Sequence, residues 1–306
     1  MTASPDVVSS KSHSKPIWPG LVLASTGSIA FAGKAIIVKL AYRYGVDSVT
    51  LLMLRMLFAL PLFLILTWWA GRGQPPLTRR DGLVILGLGF SGYYLASFLD
   101  FAGLAYVSAS FERLILYLNP TVVLFLGWVL FKRPASGRQL VALAISYSGV
   151  VLVFGQELHI QGTHAMLGAA LVFGSAVSYA LYLVYSGEEV KRLGALRLTG
   201  LATSVACGFC IGQFVILRPL SSMLLIPTPV LWLSVLNAVA CTFAPVLFLM
   251  MAIERIGAPL AAQVGMIGPM ATILMGVVIL GEPFTGWVAG GTLLVMGGVW
   301  LLARWR

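Results

Sequence analysis

Ten apolar stretches, each about as long as a lipid bilayer is thick, follow one another through the chain with almost nothing between them. A helix needs about 20 residues to cross hydrocarbon, where each backbone N–H and C=O must be bonded within the chain. Read against glycine, proline and charge punctuation, the stretches predict helices near 18–43, 47–69, 82–106, 108–131, 138–155, 164–187, 195–217, 228–252, 258–280 and 286–304. Burying that many apolar helices inside a soluble domain of 306 residues is not feasible. The charged fraction is 10%, against about 25% in soluble domains. The expected class is an all-α, multi-pass integral membrane protein with no extramembrane domain.

The net charge of +10 would suggest nucleic acid if it formed a basic face, but the bases fall in short loops and at the chain ends. Nucleic acid is therefore not an expected partner; the bilayer and a small-molecule solute are. With the N-terminus placed in the cytoplasm, the inner segments collect fourteen Lys and Arg residues, and the outer ones only Arg43 and Arg218. That bias predicts both termini to be cytoplasmic, in what is expected to be a bacterial inner (plasma) membrane. Residues 1–16 are polar and serine-rich, expected as a disordered cytoplasmic tail. The first apolar run exceeds a signal-peptide core and is read as a retained span.

An internal repeat sharpens the architecture. Residues 130–137 read LFKRPASG and residues 279–286 read ILGEPFTG, at an offset of 149. At that offset Ala109 meets Ala258, Pro120 meets Pro269, Gly127 meets Gly276 and Gly149-Val150 meets Gly298-Val299. A duplicated unit of five helices must enter the membrane from opposite sides in its two copies. The basic pair Lys132-Arg133 then belongs to one copy only because charge follows the membrane side. Expected units are 17–155 and 164–304, packed around a central cavity.

The stretch 104–155, LAYVSASFERLILYLNPTVVLFLGWVLFKRPASGRQLVALAISYSGVVLVFG, resembles the repeat unit of the EamA-type drug/metabolite transporter superfamily. Its second copy over 253–303 fits at least as well, and LLMLRMLFALPLF places Arg55 at the arginine of the family's early helix. The resemblance implies a ten-helix secondary exporter of small metabolites, with amino-acid and aromatic amino-acid branches nearest. Broad drug efflux and nucleotide-sugar transport are the alternatives within transport; a membrane-embedded enzyme or structural protein lies outside it. Two departures stand out: Lys132-Arg133 replaces the family's Gly-Glu in the first copy, and Thr26-Gly27 stands where a Trp-Gly is common.

Ionisable residues inside spans are costly and so begin as functional candidates. Lys39, Arg55, Asp100, Glu112 and Arg113 share one depth near the outer end of the first repeat. An ion-pair network fastening helix ends, as an outer gate, accounts for them better than solute contact. Lys34 lies nearer mid-membrane, where it either faces a cavity and attracts a carboxylate or snorkels outward with Lys39. The midspan polar set comprises Ser91, Tyr94, Asn119, Ser178, Tyr179, Tyr182, Asn237 and Gln263, with Ser91/Tyr94 and Ser178/Tyr182 sharing helix faces. Some are expected to line a solute path; interhelical hydrogen bonding is the alternative for each. Few bases are expected at cavity depth, which weighs against a diphosphate.

Pro120, Pro245 and Pro269 are expected to kink their helices. Gly87-Leu88-Gly89-Phe90-Ser91-Gly92 has the spacing of a dinucleotide motif but no preceding strand, and reads as close helix packing. Cys207, Cys210 and Cys241 lie in apolar runs without a nearby histidine and read as small buried side chains. No metal, cofactor or catalytic constellation is expected. Proton coupling and oligomeric state stay open.

Overall fold

The computed structural model describes residues 17–132, 136–256, 258–265 and 267–304; the tail 1–16 and the turn Arg133-Pro134-Ala135 lie outside them. Among the described residues ten helical segments run in order: α1 (Trp18–Tyr42), α2 (Ser48–Gly71), α3 (Arg79–Leu104), α4 (Ala109–Leu116 and Asn119–Phe131), α5 (Gly137–Gln161), α6 (His164–Leu193), α7 (Ala195–Leu217), α8 (Thr228–Ala238, Val239–Phe243 and Ala244–Ile256), α9 (Ala258–Gly265, Ile267–Met275 and Gly276–Leu280) and α10 (Gly286–Arg304). Among the described residues nine helices are long and apolar enough to cross a membrane, and Ile267–Leu280 is a shorter apolar helix.

Polar caps set the helix starts. The Asp47 carboxylate accepts from the backbone N–H groups of Val49 and Thr50, satisfying donors that the first turn leaves free. Burial opposes ionisation of Asp47, but the Thr50 hydroxyl and N–H and the nearby Arg218 outweigh it, holding the carboxyl below its ordinary range. Thr78 with Asp81, and Ser136 with Gln139, form reciprocal capping boxes. Short π-helical turns widen α3 at Gly89–Leu95 and α8 at Val239–Phe243. In the second, the Thr242 hydroxyl donates to the Asn237 carbonyl at 2.8 Å, five residues back.

The two halves pack with the pseudo-twofold relation expected of an inverted repeat. α1 lies on α8 and α9 of the other half, while its counterpart α6 lies on α3 and α4. The second helices, α2 and α7, pair with each other, and so do the fifth, α5 and α10. At the α5–α10 contact a methyl group on Gly149 would sit 2.6 Å from the Gly291 carbonyl, and one on Gly298 would sit 2.7 Å from the Ala142 carbonyl. Residues 142 and 291, and 149 and 298, are equivalent at the repeat offset, so the two contacts are images of each other.

Side-chain contacts identify two faces. On one, Arg218 meets Asp47 at 3.3 Å and Arg43 donates to the Leu280 carbonyl at 3.0 Å. On the other, Arg192 pairs with Asp81, and Arg197 donates to the Pro75 carbonyl at 3.0 Å. They are called here the Glu282 face and the Arg192 face. The half nearer the Glu282 face holds a continuous apolar cluster that joins residues of α1, α2, α3, α4 and α7, including Leu51, Phe101, Leu104 and Phe214. The half nearer the Arg192 face has smaller, separate clusters instead, around Leu198, Phe63 and Ala252.

Candidate functional site

Between the halves lies a cavity of about 380 Å³, lined from α1, α2, α3, α4, α6, α7, α8 and α9. Its walls are mostly apolar and aromatic, with Phe31, Phe63, Tyr93, Tyr117 and Tyr179 among them. Lys34, Arg55, Asp100 and Arg113 bring charge to it. The size and the few convergent polar groups suit a small-molecule site.

The charges form one buried group. Lys34 Nζ lies 2.5 Å from Asp100 Oδ2 and 3.7 Å from Glu112 Oε1, and Arg113 Nε lies 3.9 Å from Glu112 Oε2. Lys34 and Arg113 each sit 5.4 Å from the centre of the Phe31 ring, a cation–π contact, and all three residues line the cavity. Arg55 stands apart from the acids: its Nε donates to the Thr242 hydroxyl at 2.9 Å, and its guanidinium lies over Phe101. Arg55 and Arg113 are only 5% and 6% exposed, yet Arg55 Nη1 and Arg113 Nε and Nη2 have no hydrogen-bond partner. Asp100 Oδ1 and Asn119 Oδ1 are likewise unpartnered acceptors.

The structure distributes the sequence candidates differently from their expected groups. Lys34 is buried on Asp100 rather than at an interface. Lys39, expected beside Arg55 and the acids, leaves that network and donates to the Leu104 carbonyl at 3.1 Å. It is five residues beyond Lys34, about 7.5 Å along the helix, too far to share the same acids. The expectation of few bases at cavity depth is also corrected, because Arg55 and Arg113 line the cavity beside Lys34.

Ser91 and Tyr94 do not line it. The π-turn at Gly89–Leu95 breaks the ordinary helical spacing, so Tyr93, not Tyr94, faces the cavity. Tyr94 packs instead on Phe90 and Phe209, and Ser91 accepts at its carbonyl from the Ser178 hydroxyl at 2.7 Å. Tyr179 lines the cavity, with Tyr182 behind it, edge-on to Tyr93 and joined to it through their hydroxyls at 3.2 Å. Asn119, Pro245 and Pro269 line it; Pro120 opens the second segment of α4, and Asn237 is fully buried away from it. The Gln263 side chain lies outside the described residues. Gly89 and Gly92 serve close packing, for a methyl group on Gly92 would meet the Tyr182 ring at 2.4 Å. The three cysteines are free and buried.

A second cavity, of about 400 Å³, lies at the Glu282 face. Here Glu282, beyond the end of α9, accepts from the Ala109 and Ser110 N–H groups at 2.6 and 3.1 Å and from the Ser110 hydroxyl at 2.6 Å. Glu157 accepts from the Ser108 N–H at 3.3 Å and from its hydroxyl. Two carboxylates from α5 and the α9–α10 turn thus hold the start of α4, where the helix dipole favours negative charge. The sequence reading left Glu282 without a role and did not single out Glu157, because their partners are 173 and 49 residues away.

Helices in two inverted halves around a largely apolar, aromatic-walled cavity with a few charged groups define the architecture of a membrane transporter. The EamA-like transporter family model matches residues 18–155 and 166–304, and the chain belongs to that family. It is a multi-pass integral membrane transporter. A Bacillus subtilis protein described as the uncharacterized transporter YcbK is 30% identical over 274 residues, 86% of each chain. An Arabidopsis thaliana WAT1-related protein, At1g25270, is 30% identical over 59% of each chain. A crystal structure with a TM-score of 0.62 and 17% identity covers 93% of this chain and 97% of its own, and shows the same fold.

Proposed function

We propose that the protein exports small metabolites by alternating access, and that its solutes are amino acids with aromatic or hydrophobic side chains. The observation that carries this reading is the composition of the central cavity. Unpartnered donors on Arg55 and Arg113, and unpartnered acceptors on Asp100 and Asn119, stand beside walls of Phe and Tyr. A zwitterion with an apolar side chain satisfies both kinds of surface. Lys34 and Arg113 stand beside Asp100 and Glu112, while Arg55 lines the cavity bonded to Thr242. A cavity of about 380 Å³ with mostly apolar walls suits an amino acid better than a nucleotide sugar with its diphosphate.

The positive-inside rule supports a cytoplasmic Arg192 face, with both termini there and Glu282 outside. The continuous packing of the Glu282 half, against separate clusters in the other, supports an inward-facing state. The repeats 17–155 and 164–304 are the bodies that rock. Flux into proteoliposomes, with a panel of amino acids, nucleotide sugars and cationic drugs, with and without a pH gradient, tests this. Aromatic amino acids are expected to move and nucleotide sugars to remain outside. Failure of every amino acid to move defeats the substrate assignment.

A further inference from the structure

We propose that Arg113, with Arg55 as the second cation, forms a carboxylate-binding subsite at the charged end of the central cavity. The proposal deepens the transport reading above and rests on it. From the sequence Lys34 was one candidate carboxylate partner, with snorkelling as the alternative, but Lys34 is occupied: its ammonium lies 2.5 Å from Asp100, with Glu112 at 3.7 Å. Arg113 has no such engagement. Its nearest acid, Glu112, is 3.9 Å from Nε, beyond hydrogen-bonding distance, and both Nε and Nη2 are buried without a partner.

Leaving guanidinium donors desolvated and unbonded is costly, and among the described residues no group bonds them. Arg55 repeats the pattern, bonded through Nε to Thr242 while Nη1 stays unpartnered. Both side chains line the cavity. A planar, two-pronged cation with free donors fits a planar, two-pronged anion, which is a carboxylate. Phe31, in contact with Arg113, and Tyr117, four residues further along α4, also line the cavity and provide apolar surface for the remainder of the solute.

The test uses the full chain purified in detergent, with thermal unfolding titrated against L-phenylalanine, 3-phenylpropionate, 4-methylpentanoate, 2-phenylethylamine and chloride alone. The carboxylates are expected to raise Tm, whereas the amine and chloride leave it unchanged. Arg113→Gln is expected to weaken 3-phenylpropionate by about tenfold or more. Arg113→Lys keeps the charge without the fork, and is expected to lose about threefold while the amine stays unchanged. Where Arg113→Gln does not fold, the Lys variant and the wild-type ligand series decide the matter.

The subsite is overturned by equal stabilisation from amine and carboxylate, by chloride reproducing the shift, by no carboxylate shifting Tm, or by undiminished binding in the Arg113 variants. Arg113-dependent binding of 3-phenylpropionate without transport of any amino acid keeps the subsite and removes the substrate assignment. Amino-acid flux undiminished in Arg113→Gln does the reverse.

Discussion

Lys132 ends α4 in the left-handed conformation, at φ 52° and ψ 28°, while its repeat equivalent Gly281 ends α9 at φ 74° and ψ 25°. Among the described residues Lys132 is the one non-glycine with positive φ. A side chain there costs about 1–2 kcal/mol that glycine avoids. Lys132→Gly is therefore expected to stabilise the protein by about 1 kcal/mol, read as a higher midpoint in thermal unfolding; an unchanged or lower midpoint refutes the strain. The same scale shows the limit of sequence reading. Buried ions were legible as costly residues in apolar runs, but their pairings were not. Lys34 and Lys39 look alike in sequence, and only the approach of α3 and α4 separates a lysine on Asp100 from one on a carbonyl.

At the scale of elements, repeat glycines proved informative because they meet one another. Gly298 packs so closely on α5 that a methyl group would lie 2.2 Å from Ser146 Oγ, whereas nothing lies within 4 Å of one on adjacent Gly297. Gly298→Val is expected to destabilise by about 1–3 kcal/mol or more through overpacking, and Gly297→Ala to be tolerated. Comparing the two by size-exclusion profile and melting midpoint checks the interface; equal tolerance removes it. The ten spans were readable from apolar length; the caps Asp47, Thr78 and Ser136 emerged only with the structure, although their residue types favour such positions. The π-turn in α3 was not. It moves Tyr93 into the cavity in place of Tyr94, and helical periodicity carries no signal for such a register shift.

For the whole molecule, carboxylates from α5 and the α9–α10 turn hold the start of α4, and closure of the Glu282 face is expected to depend on them. Glu282→Ala removes three hydrogen bonds across that grip. It is expected to favour opening there, making a cysteine introduced at fully buried Ala41 more reactive to a membrane-impermeant maleimide. Unaltered labelling means the grip does not gate. The amino-acid sequence alone determined the membrane class, the number of spans, the family resemblance and the inverted duplication, because hydrophobic length and repeated Pro and Gly are properties of contiguous chain. Tertiary structure alone decided which ions pair, which aromatic rings face the cavity and what Glu282 does. Those depend on groups from distant helices brought within a few ångströms, where hydrogen bonds and ion pairs act.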